Sequence, residues 1–399
     1  MIYLIVLILL LVPVIRYDLL AKSDGKEYVW YYSLLFIFVM VAGLRYRVGG
    51  DTLVYMSGFD SFPTLGELIY FDFDRAEYNP LWYVFVGFSK SINDSFTCFQ
   101  IVHALVVNIT FFHFFKKYCP RYYFSAILVY FFAYFCYFNM EVLREVLCIC
   151  MLLWSVDLLL KKRFLWYYLV CAIAFQMHFS AILMVFLPFA FVVFKKPSWI
   201  AQVAIFGAII FLFVVVNIPQ FMISMFFGGY NNTANRILGE YLDASLNLGG
   251  ILYDLAKYLP FLGIIWLREH NDIEDEYDFV PLISCAVVFY AMAISISEMV
   301  RFANYFLPFY IVSMVNTLYG IWQKHQFRIR QVSWIVTMLV LFVSFVNHTY
   351  YYVRDVSDFY PGARIYCLFI PYHSVFNPVV DDFRESFLEN YRDDFQIAF

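Results

Sequence analysis

The stretch GLRYRVGGDTLVY, Gly43 to Tyr55, places Arg45, Arg47, a double glycine and Asp51 directly after an apolar run. Arg144 comes five residues after Asn139, and Arg301 stands in SISEMVRFANY. A guanidinium stays charged where water is scarce, and it grips phosphate or carboxylate through two parallel hydrogen bonds, which an ammonium cannot do. Gly49 and Gly50 let the chain turn or approach a ligand closely, which would gather Arg45, Arg47 and Asp51. The chemistry indicated is the holding of an anion beside a proton acceptor. One candidate acceptor is His178, a neutral imidazole near Ser180 that could take a proton from a hydroxyl nucleophile. Asp51 is the other, and a purely structural histidine is the bland alternative; the residue types leave these open.

The elements that must position these groups follow from composition. Of 399 residues, 63% are hydrophobic and 15% charged, and the mean hydropathy is +0.71, too apolar for a soluble domain to cover. Runs of the roughly 17 to 25 apolar residues that cross a hydrocarbon core recur to about Tyr352. Their backbone must be helical, since open strands would leave unpaired polar groups in lipid. The expectation is an all-α, polytopic integral membrane protein with roughly 11–13 transmembrane helices. Spans are expected at 1–15, 28–44, 96–115, 121–138, 142–160, 164–178, 179–194, 199–217, 251–267, 279–297, 302–322 and 332–352. Met1 to Val12 lacks the basic start of a cleaved signal peptide and reads as the first span. Pro80 to Ser91 is too short to cross and reads as re-entrant or interfacial. Residues 1–353 thus form one transmembrane domain with outer loops at 45–78 and 218–250, and 354–399 is a polar tail against the outer face.

Orientation follows from the short basic loops at Lys116 to Arg121, Lys161 to Arg163, Lys195 and Lys196, and Lys324 to Arg330, which belong in the cytoplasm. Nine of the eleven lysines then lie inside, while Arg45, Arg47, Arg144 and Arg301 lie outside, against the usual bias. Arg144 and Arg301 are expected at outer helix N-termini, where free N–H groups and the dipole favour an anion, with Asn139 and Ser297 as caps. An arginine near the hydrocarbon is a functional hypothesis by default. Arg75, Arg354, Arg364, Arg384 and Arg392 read instead as headgroup anchors. Tyr46, Tyr55, Tyr78 and Trp82 could form platforms for sugar rings. Asp51, Glu77, Glu141, Glu145 and Glu298 read as ion-pair partners of the arginines. His103, His113 and His348 read as structural. No pair has metal-ligand spacing and the eight cysteines are scattered, so no metal, cofactor or disulfide framework is expected.

Five pieces in order carry a resemblance: GLRYRVGGDTLVY, NMEVLREVLCICMLLWSVDLLLKKR, LVCAIAFQMHFSAIL, EMVRFANYF and CLFIPYHSVFNP, the last with Pro371 and Tyr372. From about residue 40 to 378 the chain resembles the EpsG-like branch of the Wzy-type polymerases of bacterial capsule, exopolysaccharide and O-antigen. It departs from the family pattern at Glu145, where glutamine is frequent, and at Gly50, where threonine is. The resemblance implies a GT-C-like glycosyltransferase of the bacterial cytoplasmic membrane, working on its extracytoplasmic face without metal or nucleotide sugar. It would transfer a growing glycan from an undecaprenyl diphosphate carrier to the terminal sugar hydroxyl of another lipid-linked repeat unit. Arg45, Arg47, Arg144 and Arg301 would hold the diphosphate, and His178 or Asp51 would accept the proton. Tyr55, Glu77, Asn139, Glu298 and Tyr372 would support the sugar or the acceptor. Membrane lipids and a flippase and chain-length regulator of the same pathway are the implied partners, and no nucleic acid is. Two rival classes are a flippase for the same lipid-linked sugar, whose charges would line a path open to both sides, and a membrane O-acyltransferase built on His178.

Overall fold

The computed structural model describes residues 2–194, 198–216, 248–273, 276–294, 296, 299–324, 331–355 and 362–387. Among them all regular structure is helical, and extended pairing is limited to isolated bridges. The helices are α1 (Ile2–Pro13), α2 (Glu27–Gly43), α3 (Gly50–Gly58), α4 (Pro80–Ile92), α5 (Phe96–Tyr118), α6 (Tyr123–Ala133), α7 (Phe135–Met140), α8 (Leu143–Leu160) and α9 (Phe164–Phe175). They continue with α10 (Ile182–Val193), α11 (Trp199–Ile210), α12 (Leu248–His270), α13 (Val280–Ala293), α14 (Met299–Asn304), α15 (Leu307–Lys324) and α16 (Gln331–Val353). Ile2–Leu19, Phe96–Tyr118 and Val332–Val353 are long and apolar enough to cross a membrane, and shorter apolar helices accompany them, the make-up of a membrane protein.

Two expected spans are interrupted. Residues 121–138 divide at Tyr134 into α6 and α7. Residues 302–322 divide at Tyr305 and Phe306, because Pro308 has no N–H to bond the carbonyl of Asn304 and its ring would clash there. Arg301 therefore sits on the six-residue α14, not on the long helix that was expected to present it.

The chain forms two compact units, Met1–Val185 with His348–Phe399, and Phe186–Asn347. In the first, α2 lies so close along α5 that a Cβ on Gly43 would meet the Ile101 backbone at 3.0 Å. Aromatic rings fill the interior: Phe38 packs on Phe112, Phe131 and Phe135, and Phe111 stacks on Tyr130 at 4.7 Å. Dispersion between such close-packed rings is what holds helices together where the surroundings are as apolar as the core.

The ends of this unit differ in charge chemistry. The start of α5 meets the loop after α3, Phe59 against Phe96. Its last turn holds Lys116 over Tyr28 and Tyr31, and Lys117 paired with Asp157 near the end of α8. Arg144 occupies the first turn of that same α8. Lys116 and Lys117 are thus parted from the Arg144 end by the length of α5, 23 residues or about 35 Å. Helix α4, 13 residues and about 20 Å long, stays at the arginine end. The Leu81 amide donates to Gln176, and the buried Lys90 ammonium donates to the carbonyls of Asp60 and Phe62.

The segment 362–387 returns to the same end. Tyr46 N–H donates to the His373 carbonyl, Val375 N–H to Leu44 and Gly49 N–H to Leu368, each at 2.9 Å. Asparagine, tyrosine and asparagine form a buried network below: Asn108 Nδ2 donates to Asn139 Oδ1, and Asn139 Nδ2 donates to the Tyr130 hydroxyl, both at 2.9 Å.

Candidate active site

Arg144 is held in place by aromatic side chains. It is the second residue of α8, half-buried, and its Nε donates to the Tyr55 hydroxyl at 2.6 Å. Its guanidinium carbon lies 4.5 Å from the centroid of the Tyr78 ring, a cation–π contact that fixes the plane of the fork. Among the described residues its two terminal nitrogens have no hydrogen-bond partner. The Tyr78 hydroxyl is bonded to the Glu77 carboxylate, and burial, then the Glu77 charge, push the phenol far above its ordinary range. Tyr55 in turn packs on the fully buried Trp82, centroids 5.0 Å apart. The structure therefore brings Arg144, Tyr55, Tyr78 and Glu77 into one cluster.

His178 joins that neighbourhood through α4. Asn79 Nδ2 donates to the Phe175 carbonyl at 3.0 Å, which ties the residue after Tyr78 to the end of α9. The α9 to α10 turn then runs through His178, which opens the short helical turn Phe179–Ala181. Its Nδ1 accepts the Ser180 backbone N–H at 3.2 Å and lies 2.7 Å from the Ser180 hydroxyl. A ring nitrogen that accepts a backbone N–H is unprotonated, so the neutral imidazole carries its hydrogen on Nε2. The ring is thereby set to donate from Nε2, not to accept there.

Asp51 begins α3, and the approach to it depends on glycine. Gly49 has φ +98°, and a Cβ there would meet the Met140 backbone oxygen at 2.7 Å. Glu141 caps this helix: its Oε1 accepts the Gly50 N–H at 2.7 Å, and its carboxylate also accepts the Asp51 N–H. Burial, and secondarily the neighbouring Asp51 charge, raise the Glu141 carboxyl well above the carboxylate range. The two acids thus stand close enough for the charge of one to disfavour that of the other.

The remaining expected residues fall into different roles. Arg45 is 1% exposed. Its Nε donates to the Val48 carbonyl, one terminal nitrogen to the Ala42 carbonyl, and the other to Thr52 Oγ1 at 2.9 Å. Burial lowers its pKa to about 10, so it remains charged, but its donors all serve to shape the 42–52 turn. Arg47, at φ +51° in the left-handed region, forms a two-bond fork with Glu385, 2.6 Å and 2.5 Å. Asn139 does not cap α8: Val142 takes that position without a side-chain bond, and Asn139 belongs to the buried network described above. The Tyr372 hydroxyl donates to the Val41 carbonyl at 3.0 Å, which pins the returning segment. Arg384, expected as a headgroup anchor, is instead fully buried, donating to the carbonyls of Cys367, Arg47 and Pro371. Arg301 belongs to the second unit and is exposed on α14. Glu298 and Ser297 lie outside the described residues.

Three contacts differ from or go beyond the sequence expectation: Glu141, expected as an ion-pair partner, caps α3; Tyr78, expected as a sugar platform, lies under Arg144; and Glu385 pairs with Arg47. Glu141, three residues before Arg144, carried a local signal in an acid beside a candidate cation. Among the described residues no group of three His, Cys, Asp or Glu side chains could hold a metal ion.

The family model of the EpsG family matches residues 28–374, most of the chain and every element of this cluster except Glu385. No curated protein matches, and no solved structure does.

Proposed function

Because the chain belongs to the EpsG family, a Wzy-type polymerase family, we propose that it transfers a growing glycan from a lipid diphosphate carrier to the terminal sugar hydroxyl of another lipid-linked repeat unit. The work would be done at the extracytoplasmic face of the bacterial cytoplasmic membrane, by a GT-C-like helical architecture and without metal. The observation that carries this reading is Arg144, whose terminal nitrogens point no bond at any described neighbour while Tyr55 and Tyr78 hold the rest of the fork rigid. A preorganised cation of this kind stabilises charge that develops in the transition state, which is the largest contribution in many enzymes.

In the proposed reaction the acceptor hydroxyl oxygen bonds to the anomeric carbon of the donor sugar, and the bond from that carbon to the diphosphate oxygen breaks. The electron pair leaves with the lipid diphosphate, whose charge Arg144 stabilises with its two terminal nitrogens. Arg47 joins Arg144 when it exchanges Glu385 for phosphate. The hydroxyl proton goes to Asp51, at the start of α3 beside the Glu141 cap. His178 donates from Nε2 to an oxygen of the leaving group or of the sugar. Arg45 shapes the loop and does not touch substrate. A flippase and a chain-length regulator would act before and beside it.

The test uses purified protein with a synthetic lipid-diphosphate oligosaccharide. Wild type is expected to produce a ladder of products on a gel, and Arg144→Lys, which keeps the charge but loses the fork, to abolish it. Folded wild type that yields no ladder but moves the lipid-linked sugar across liposome membranes would replace this reading with transport.

A further inference from the structure

Below Arg144, on the same face of α8, runs an apolar furrow. Leu147, Met151, Trp154 and Leu158 line one wall at helical spacing, and Val106 of α5 and Val170 of α9 stand opposite. Its cavity measures about 420 Å³, within the usual range for a bound small molecule. The furrow begins one turn below Arg144, with Met177, the neighbour of His178, at its rim. From Arg144 to Leu158 the helix rises about 21 Å.

Polar atoms along the walls are already satisfied. Trp154 Nε1 donates to Thr110 Oγ1 at 2.9 Å, Thr110 donates to the Val106 carbonyl, and Ser155 donates to Leu152. Nothing there would reward a polar ligand, so the occupant must be hydrocarbon. A cationic fork at the head of a hydrocarbon furrow is the negative image of an anionic amphiphile. Trp154 is 56% exposed, so the furrow opens sideways and admits a chain too long to be enclosed.

We propose that this furrow seats the polyisoprenoid chain of the lipid diphosphate substrate and so sets the reach of its diphosphate to Arg144. The inference rests on the polymerase reading for the identity of the lipid. It commits to the carrier rather than to bulk phospholipid because the diphosphate presents two adjacent phosphoryl groups to the fork, whereas a phospholipid presents one diester.

The experiment uses the full chain in liposomes with two photoreactive probes at equal mole fraction, a polyprenyl diphosphate and a phospholipid, each with a diazirine in its hydrocarbon chain. After irradiation, adducts are mapped by mass spectrometry. The expected result is labelling of the 143–160 and 164–177 peptides by the prenyl probe, about tenfold above the phospholipid and competed by unlabelled prenyl diphosphate. Val170→Trp, which fills the furrow, is expected to remove that labelling. Equal labelling by both probes would show an ordinary lipid-facing surface and overturn the proposal. Labelling elsewhere, in protein that makes the product ladder, would overturn the furrow and leave the polymerase reading intact. Selective labelling of the furrow in folded protein that makes no ladder would do the reverse.

Discussion

The guanidinium of Arg47 and the carboxylate of Glu385, 338 residues apart in the chain, meet in a two-bond fork of 2.6 Å and 2.5 Å. A carboxylate so placed stands where one edge of a phosphate would. The fork also fastens the returning segment over Gly50, where a Cβ would meet the Phe387 ring at 3.0 Å. Glu385→Ala is expected to release this segment, giving faster cleavage after residue 362 in limited proteolysis. The thermal stability should fall only slightly, by about 1 kcal/mol, because both partners are partly exposed. An unchanged cleavage rate would show that Arg384, Tyr372 and the backbone bonds hold the segment without the fork.

Arg45 and Arg144 should separate cleanly under the same substitution. Arg45→Lys leaves the Val48, Ala42 and Thr52 oxygens without their donors in a buried site, and a loss of about 3 kcal/mol of stability is expected. Arg144→Lys should leave the melting temperature within a few degrees of wild type and reduce kcat/KM by about a hundredfold or more. Thermal melts and ladder kinetics on the two purified variants decide this. A destabilised Arg144→Lys with normal specific activity would remove Arg144 from the site.

The Glu141 carboxyl gives stability a pH dependence of definite sign. Its folded pKa is raised, so between the ordinary carboxylate value of 4.5 and about 8 the folded state holds more protons than the unfolded one. Stability contributed by this group therefore falls as pH rises through that window. Denaturation midpoints measured from pH 5 to 8 should decline with pH in wild type, and Glu141→Gln should flatten the slope. An unchanged decline in the variant would mean that another group is responsible.

His178, set to donate from Nε2, and Asp51, set to accept, predict different pH–rate profiles when replaced. His178→Gln keeps a donor and should lose about tenfold to a hundredfold in rate while retaining the acidic limb of the profile. Asp51→Asn should remove that limb altogether. If His178→Gln removes the limb instead, the imidazole is the base and its bond to Ser180 breaks during turnover.

How much of this could be read in the sequence depends on how local each signal was. Hydrophobic runs located most helices within a few residues, because period and length are local properties: Glu27–Gly43 against 28–44, Leu143–Leu160 against 142–160. The turn at His178 falls where the expected spans 164–178 and 179–194 meet, because the apolar run from Phe164 to Phe194 is too long for one crossing. Pro308 was a legible break that hydropathy alone overrode. The division of the arginines was not legible. Arg45, Arg47, Arg144 and Arg384 have one side chain chemistry, yet two are buried against carbonyls, one is forked to a carboxylate and one is held by tyrosines. Arg45 bonds within its own turn, whereas Arg47 reaches Glu385 across 338 residues and Arg144 reaches Tyr55 across 89, and the choice among these is set by tertiary packing, which no local pattern encodes. Asn139 misled for the opposite reason, since its position beside a helix start mimicked a cap while its side chain faced Asn108 and Tyr130.

The pairing of Leu44, Tyr46 and Gly49 with Leu368, His373 and Val375 also sets an order of birth. A ribosome delivers the first partners some 320 residues before the second, roughly 15 to 65 seconds at ordinary elongation rates. During that interval the 44–49 turn has these bonding groups unmatched and the Arg47 fork open. The 44–49 turn therefore reaches its final pairing only once residue 375 has been made, and a chain cut before residue 368 would lack all three of these bonds.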